Sequence, residues 1–481
     1  MTTIEEILKL TDTEDVIEKL KEGRPYDQPD VESAAKALDP EKHDIMDKQK
    51  RPDKRVVVDT PESNADAEVD GEPVAMEDEP VARIRLAIQK LIIKRAVAFL
   101  FGNQVAYNGD PENEKQEKIL DATRKITRSV KSNSLNRKIA RAIFGFEECA
   151  ELWYAVEKPN GKYGFDSKTT LRCALFSPAF GDTLYPFFDE TGDMVAFSRE
   201  FTRKVGEDEI KYFETYTDTQ RWMWEGKNGE EYTLLEGYPK KIAIGKIPVV
   251  YGRQDGHETM DVDSLIDRLE TLLSNFADTN DYHASPKIFV KGKLVGFAKK
   301  GESGAIIEGD EQSDAKYLSW ENAPASVKLE IETLLNMIYT LTQTPDISFD
   351  SVKGIGTVSG IAMKLLFMDA HLKVQDKLEI FDDYLQRRVN IIKAFIGEMN
   401  NSLKSEIDNF EIEPEITPYM LTSKIDELNY WMTANGNKPV VDHESSIEKA
   451  GLTHNPKETF ERIQEEKDKA MSFMIGEPTE A

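Results

Sequence analysis

The chain has 481 residues, with 62 Lys and Arg against 89 Asp and Glu, which gives a formal net charge of −27 at pH 7. At about 150 residues per domain this length predicts two or three domains. The negative charge argues against a protein that holds nucleic acid tightly, because such affinity comes from cations that neutralise phosphates. Cys149 and Cys173 are the only cysteines, too few for a disulfide framework or a zinc site, and no apolar run reaches the ~18 residues of a membrane span.

The first 80 residues read as a polar and acidic arm, flexible in part. Met1–Glu6 lack the basic segment that begins a secretory signal, so no signal peptide is expected. A short helix is predicted over Thr3–Leu10. Residues 59–79 hold nine acids and no base, which predicts a mobile acidic loop that is either simply solvated or binds a partner.

Two helical patterns follow this arm. Apolar residues recur at helical spacing from Ile84 to Arg95, and a second helical stretch is predicted from Glu117 to Gly145. Between Lys118 and Arg141 that second stretch carries eight bases against one acid. Three readings of this basic cluster stay open, namely a solvated helix face, a subunit interface and a contact with nucleic acid.

The residue pattern then changes, and it predicts an antiparallel β region from residue 151 to residue 251. Short runs of β-branched and aromatic residues are separated by turns rich in Gly, Asn and Asp. The predicted strands are Leu152–Val156, Thr170–Phe176, Met194–Thr202, Lys211–Thr217, Arg221–Trp224 and Tyr232–Leu235.

The remainder of the chain is mostly helical. Apolar residues from Val262 to Phe276 and from Val327 to Leu341 recur at steps of three and four and predict two helices, separated by a small insert with strand-like pieces. Pro345 must end the second helix, because it lacks an amide donor. A Gly/Ser/Asp loop then leads to residues 360–400, which predict one helix of about 60 Å, followed by shorter helical pieces.

Motifs for catalysis are absent from the sequence. There is no P-loop for phosphate, the six histidines are scattered, and the glycines from Gly354 to Gly360 do not fit a dinucleotide-binding turn. We therefore assign no catalytic, cofactor-binding or metal-binding residue. Two carboxylate pairs, Asp261 with Asp263 and Asp382 with Asp383, permit an alternative reading as Mg²⁺ ligands of a nuclease, although helix caps and a solvated face explain them more simply.

The order of elements resembles that of the portal, or head-to-tail connector, proteins of tailed bacteriophages, in the branch with short portals. The resemblance covers roughly residues 40–400. The segments that carry it are Glu41–Met46 with its His-Asp-Ile element, Leu100–Tyr107, Phe176–Tyr185, Met194–Arg203, Ile247–Tyr251 with Asp263–Ala277, Ile338–Asp346 and Thr357–Lys364. Residues 1–40, residues 59–79 and the C-terminal helices match the pattern poorly.

This resemblance implies an α+β fold of the portal type, with an α/β wing, a two-helix stem, a small β-containing clip, a long kinked helix and a helical crown. The implied divisions are an arm (1–80), the wing (81–256), the first stem helix (257–283), the clip (284–323), the second stem helix (324–343), the tunnel loop (344–359), the long wing helix (360–400) and a crown-like C-terminus (401–481).

The resemblance also implies a structural function without a catalytic site. The protein is expected to form a homo-oligomeric ring, usually a dodecamer, at one capsid vertex of the virion, after assembly in the host cytoplasm. Double-stranded DNA would pass through the ring. Its other implied partners are the terminase large subunit, the head-completion adaptor, and the major capsid and scaffolding proteins. No contact with a membrane is implied. The alternative is a metal-dependent DNA-processing enzyme of the packaging apparatus.

Two segments are the expected contact sites. In the tunnel loop the residues expected to face DNA are Asp346, Ser348, Asp350, Ser351, Lys353, Gly354 and Gly356. Their charges sum to −1 per subunit, which predicts a sliding collar rather than a tight binding site. In the clip a basic first part faces an acidic second part across neighbouring subunits, and the residues expected at that interface are Lys287, Lys291, Lys293, Lys299, Lys300, Glu308 and Asp310.

Overall fold

The structure is a computed structural model in which helices and strands alternate along the chain, and it confirms the α+β class. It describes residues 4–58, 67–69, 72–206, 208–227, 231–284, 287–291, 294–296, 308–309, 314–318, 323–346, 367–419, 424–436, 439–453 and 455–475. The chain divides into two compact units, the first with Met1–Asp346 and Asp369–Tyr419, the second with Ile347–Met368 and Met420–Ala481. Among the helices in those described ranges, none is long and apolar enough to cross a membrane.

Three short helices begin the first unit, namely α1 (Ile4–Ile7), α2 (Thr13–Glu22) and α3 (Val31–Leu38). The Asp12 carboxylate caps α2 by accepting the Glu14 amide at 2.9 Å. The apolar face of α1 and α2 is buried against Phe213 and Trp224 of the β region. The arm expected over residues 1–80 is therefore, in these helices, a packed part of the unit, and the division into domains otherwise stays a prediction.

A separate antiparallel sheet follows, with strands β1 (Lys54–Val58), β2 (Ala67–Val69) and β3 (Glu72–Glu79) in the order β1-β3-β2. Two of these strands lie within residues 59–79, so the expectation of a loop throughout that segment is wrong. Valines in β1 favour the extended backbone, and the register pairs Lys54 with Glu79 and Arg55 with Asp78. Opposite charges at paired positions support this register.

Helix α4 (Ile88–Phe101) and strand β4 (Ala106–Asn108) lead to a helical hairpin, α5 (Glu114–Ser129) and α6 (Ser132–Phe146). The single helical stretch predicted over residues 117–145 is thus two helices. The break falls at Lys131, whose φ of 57° lies in the left-handed region and cannot continue a right-handed helix.

Two antiparallel sheets form the β region and confirm that prediction. One has the order β13-β5-β6, and the other β11-β10-β9-β8-β7 with β12 paired to β10. Their strands are β5 (Glu148–Asn160), β6 (Ser167–Phe176), β7 (Thr183–Phe188), β8 (Met194–Val205), β9 (Asp208–Tyr216), β10 (Gln220–Lys227), β11 (Thr233–Leu234), β12 (Lys240–Lys241) and β13 (Val249–Arg253). Aromatic side chains including Phe176, Phe197 and Tyr251 fill the core between them.

Two helices with a strand-bearing insert between them follow the β region, as expected. They are α7 (Asp263–Ala284) and α8 (Ala323–Leu341). In the insert, β14 (Lys287–Lys291) pairs with β17 (Asp314–Leu318), and β15 (Leu294–Gly296) pairs with β16 (Glu308–Gly309), both antiparallel.

The long helix predicted over residues 360–400 is α9 (Met368–Met399), whose 32 residues span about 48 Å; residues 360–366 lie outside the described part of the chain. Strand β18 (Glu413–Glu415) then pairs with β4. A buried pair holds α9 to β5: Arg388 Nε lies 2.7 Å from Glu151 Oε1 and Arg388 Nη2 lies 2.9 Å from Glu151 Oε2.

The second unit contains three described helices, α10 (Lys424–Ala434), α11 (His443–Ala450) and α12 (Pro456–Ile475). The Asp442 carboxylate caps α11 by accepting the Ser445 amide at 2.8 Å. Gly451, with φ of 64°, ends α11 in the left-handed conformation that glycine adopts without strain. The shorter helices expected near the C-terminus are thereby confirmed.

Candidate functional site: the helix pair and the base of the loop

Helices α7 and α8 pack through a continuous apolar face. Its buried members are Val262, Ile266, Leu269 and Leu272 from the first helix region, Leu334 and Ile338 from α8, and Ile88 and Ile92 from α4. Steps of three and four residues place these side chains on one side of each helix. The pair predicted from periodicity therefore exists, and α4 is its third member.

An extended segment, residues 81–87, binds α7 through every second backbone amide, and we call it the strap. The Ala82 amide donates to Asp278 Oδ1 at 2.8 Å, the Ile84 amide to Ser274 Oγ at 2.9 Å and the Leu86 amide to Glu270 Oε1 at 2.6 Å. Acceptors four residues apart repeat about every 6 Å along a helix, close to the two-residue repeat of an extended chain. This match satisfies three amides at once.

His43 joins the Asp-rich start of the chain to the same face of α7. Its Nδ1 lies 2.7 Å from Glu270 Oε1 and its Nε2 lies 3.1 Å from the Ala37 carbonyl oxygen, with both side chains of the pair almost fully buried. Because both ring nitrogens face acceptors, the two hydrogen bonds form together only when the imidazole is protonated. Burial lowers the pKa of His43, but the hydrogen bond and charge of Glu270 outweigh it, and the net shift is upward.

Arg51 provides a further contact with α7. Its Nη2 lies 2.7 Å from Asp278 Oδ2, and its Nη1 donates to Asn275 Oδ1 at 2.8 Å. Asp278 thus accepts from the strap with one oxygen and from an arginine with the other. The N-terminal region and the strap together hold one polar face of α7, while the apolar face meets α8.

Of the pair named above as alternative metal ligands, Asp261 lies in the turn before α7 and Asp263 is the first residue of α7. Asp263 Oδ2 lies 2.7 Å from His257 Nε2, which raises the pKa of His257. Asp382 and Asp383 are both exposed on α9. Over the described residues, no group of three or more His, Cys, Asp or Glu side chains is arranged to hold a metal ion.

Two cations, the buried Lys373 and the half-buried Arg95, hold the residues at the base of the predicted tunnel loop. Lys373 Nζ of α9 lies 2.7 Å from Glu258 Oε1 and donates to the Thr342 carbonyl at 2.8 Å, at the C-terminal end of α8. Arg95 Nη1 of α4 donates to the Pro345 carbonyl at 2.8 Å. A cation near the last carbonyls of a helix is favourable because the helix dipole is negative there.

The carboxylate of this cluster is ionised. Glu258 Oε2 lies 3.1 Å from Lys377 Nζ, so Glu258 has a cation on each oxygen. Burial raises the pKa of Glu258, but Lys373 and Lys377 outweigh it and the net shift is downward. Three elements, α4, α8 and α9, therefore meet around Thr342 and Pro345.

The predicted contact residues fall only in part within the described chain. Of the tunnel-loop residues, Asp346 is described and exposed. In the insert, Lys287 and Lys291 lie on β14 and Glu308 lies on β16. The residues that lie outside the described ranges are Ser348, Asp350, Ser351, Lys353, Gly354, Gly356, Lys293, Lys299, Lys300 and Asp310.

Sequence reasoning missed the residues that position α7 and the loop base. Glu270, Ser274 and Asp278 recur every four residues on the face opposite the apolar stripe, which is the only signal they give in the sequence. Such a pattern is usual for a solvated helix face. His43 belongs to a segment that did enter the resemblance, without a role.

Two amphipathic helices with a strand-bearing insert between them, followed along the chain by one long helix, match the order of elements expected of a structural protein of the portal class. The model of the family described as "Phage portal protein, SPP1 Gp6-like" matches residues 17–472. The chain therefore belongs to this family of phage portal proteins, as the sequence resemblance indicated, and has the structural role of a portal.

Solved structures that are similar to the chain come from gene transfer agent (GTA) particles. The neck of the native GTA particle computed with C12 symmetry is 11% identical, with a TM-score of 0.39, over 76% of this chain and 88% of that chain. The neck of the empty GTA particle computed with C6 symmetry is 11% identical, with a TM-score of 0.34, over 76% of this chain and 89% of that chain. No curated protein matches the chain.

Proposed function

We propose that this chain assembles into a closed ring of twelve subunits at one vertex of the capsid, and that the ring encloses the channel through which double-stranded DNA is packaged and ejected. The observation that carries the proposal is the family match over residues 17–472. A net charge of −27 per subunit supports it, because a channel of like charge lets phosphates pass without gripping them.

The exposed side of α8 supports lateral contact between subunits. Leu329, Met337 and Leu341 are 65%, 49% and 60% exposed and are separated by eight and four residues, so they form one apolar stripe. Leu334 and Ile338, which lie next to this stripe on α8, are buried against α7. An apolar surface that extends beyond the part covered by α7 suits a ring, in which each subunit meets two neighbours through different surfaces.

Ring formation is tested by electron microscopy of the purified full-length protein. We expect closed rings with an axial hole, and a large loss of rings in the double variant L329E/M337E, because charges placed in an apolar contact must be desolvated. The matched control is N336E, at an exposed polar position of the same helix, which should form rings as the wild type does. A wild type that stays monomeric at all concentrations would overturn the proposal.

The tunnel loop, residues 344–359, is proposed to reach into the channel and to touch the passing DNA. Support comes from its base, where Lys373 and Arg95 hold the carbonyls of Thr342 and Pro345. Deleting Asp350–Gly356 should leave rings intact and reduce packaging or retention of DNA. If rings of the deletion variant take up and retain full genomes at the wild-type rate, the proposed role of the loop is wrong.

The insert between α7 and α8, residues 284–323, is proposed as the clip that contacts the terminase large subunit and the head-completion adaptor, while the major capsid and scaffolding proteins surround the ring. Reversing the charge of the five clip lysines, Lys287, Lys291, Lys293, Lys299 and Lys300, should impair ring closure or adaptor binding. Rings that form normally and still bind adaptor would contradict the proposed interface.

A further inference from the structure

We propose that the α5–α6 hairpin binds double-stranded DNA through a surface that is separate from the tunnel loop. We call this surface the basic face, and it comprises Arg128, Lys131, Arg137, Lys138 and Arg141. The ligands that fit it are the backbone phosphates of a duplex of any sequence. The inference rests on the proposed function only in that DNA passes beside the protein, and it adds a binding site to that function.

The basic face points away from the core of its own unit. Its three members on α6 follow steps of three and four residues and are exposed, whereas Ile139 and Ile143 of the same helix are fully buried. Its other two members, at the end of α5 and at the break between the two helices, are exposed as well. Residues 128–141 thus present these five cations outward, and they contain no acid.

The five cations form no ion pair with an acid in the ranges that the structure describes. Two other bases of α5 do form one, since Lys118 Nζ lies 3.9 Å from Glu114 Oε2 and Lys125 Nζ lies 2.6 Å from Asp121 Oδ2. The difference follows from the sequence, because acids alternate with bases only in the first half of α5. The positive charge of the basic face is therefore left for another molecule.

Like charges this close together make the hairpin less stable. Arg137 lies four residues before Arg141, and Lys138 lies three residues before it, and like charges at these spacings repel on a helix surface. The first turn of α6 contains no acid, so no carboxylate there offsets the positive end of the helix dipole. A bound polyanion removes this repulsion, which favours a face that takes a ligand over a face that is only solvated.

The composition of the basic face fits phosphates better than a neighbouring subunit. No large apolar side chain is exposed among residues 114–146, all of which the structure describes. The centre of a protein interface is usually apolar and aromatic and contains few lysines. Contacts with DNA phosphates come from Arg and Lys together with hydroxyl side chains, and Ser129 and Ser134 are exposed between the cations. We therefore assign the face to DNA and not to a second copy of the chain.

The basic face has a fixed support that is distant from the tunnel loop. Arg388 Nη1 of α9 donates to Asn136 Oδ1 of α6 at 2.5 Å, and both side chains are buried. Lys373, the cation at the base of the tunnel loop, lies 15 residues earlier on α9, which is about 22 Å along the helix. Because the helix that carries the cations is already held in place, less conformational entropy is lost when DNA binds.

The salt dependence of DNA binding tests the basic face directly. The slope of the logarithm of the association constant against the logarithm of salt concentration changes by about 0.9 for each phosphate that a cation neutralises. We expect R128Q/R137Q/R141Q to bind a short labelled duplex about tenfold more weakly than the wild type at low salt, in fluorescence anisotropy, with a slope that is shallower by about 2.7. Two duplexes of unrelated sequence should respond alike, because phosphates carry no sequence information.

Matched variants show whether the effect belongs to this face. K48Q/K204Q/R462Q removes the same number of exposed cations, each of which lies beside an acid of its own, and should keep the wild-type affinity and slope. R128K/R137K/R141K keeps the charge of the face and should keep both as well. Deleting Asp350–Gly356, which contains one lysine, should change the slope by no more than about 0.9. An unchanged slope in R128Q/R137Q/R141Q would overturn the inference.

Electron microscopy of the same proteins separates this inference from the proposed function. R128Q/R137Q/R141Q should form rings as the wild type does, because the face is not placed between subunits. Loss of rings in that variant would identify a subunit interface and refute the inference. Absence of rings in the wild type would overturn the proposed function instead, while the duplex measurement would still decide whether the basic face binds DNA.

Discussion

Replacing Arg388 by Met should destabilise the first unit more than any single change of an exposed arginine. Arg388 and Glu151 are 1% and 0% exposed, and two hydrogen bonds of 2.7 and 2.9 Å join them. The variant keeps the length of the side chain but leaves the Glu151 carboxylate buried, with the Trp153 indole as a remaining donor at 3.0 Å. Breaking one side of a buried ion pair typically costs about 3–5 kcal/mol, which is the expected loss in free energy of unfolding.

A second substitution tests whether the loss in stability comes from the buried Glu151 carboxylate that R388M leaves without its cation. In R388M/E151Q the buried carboxylate becomes a neutral amide, so the double variant should be more stable than R388M by about 1–3 kcal/mol. Arg387, the exposed neighbour on the same helix, provides the control, and R387M should lie within about 0.5 kcal/mol of the wild type.

Urea unfolding followed by tryptophan fluorescence measures these differences, at one fixed protein concentration because assembly adds apparent stability. A change in midpoint without a change in slope reports stability alone. The reasoning fails if R388M unfolds within about 1 kcal/mol of the wild type, or if the double variant loses the sum of the two single losses.

Two further outcomes follow from close contacts in the first unit. G252A should lose about 1–3 kcal/mol in free energy of unfolding, because its Cβ would lie 2.6 Å from Tyr384 Cδ2 in a buried site. In G161A the nearest atom to the new Cβ is Asp166 Oδ1, at an ordinary 3.4 Å, so this control should unfold like the wild type in the same urea assay. For His43 the raised pKa means that the stabilisation is complete below the unfolded value of about 6.5 and is lost as pH rises through the folded pKa. The wild type should therefore melt at a higher temperature than H43Q at low pH, and this difference should shrink as pH rises through the folded pKa of His43. A constant difference in melting temperature between pH 6 and pH 9 would show that His43 is not protonated in the fold.

Periodicity was sufficient to predict the helices and strands in which buried residues recur at a regular interval. The apolar steps of α7 and α8 and the alternating runs of the β region recur with the period of their structure, so the helix pair and the antiparallel sheets could be read from residues alone. The strands β2 and β3 could not, because acids are depleted in strands and the pairing that holds them there joins distant positions. The break at Lys131 gave no signal, since no Gly or Pro marks it.

The polar contacts were the part that the sequence concealed. Glu270, Ser274 and Asp278 look like a solvated face until the strap is placed beside them, and their partners lie more than 180 residues away. Arg388 and Glu151 are likewise 237 residues apart, and an arginine within an apolar stripe does not reveal its partner. Such pairs depend on the tertiary fold, which a one-dimensional pattern does not contain.

The strap on α7 also determines how that helix can respond to force. Two extended residues advance about 6.6–6.8 Å and four helical residues about 6.0 Å, so the two repeats drift apart by roughly 0.7 Å per contact and a fourth contact in line would miss by about 2 Å. A slip of one residue along α7 shifts the acceptors by about 1.5 Å and turns them by about 100°, which breaks all three hydrogen bonds together. An axial pull on α7 therefore loads these three bonds in shear, beside the contacts of His43 and Arg51 with the same helix, and part of the load is passed through Leu86 into α4, which begins two residues later at Ile88.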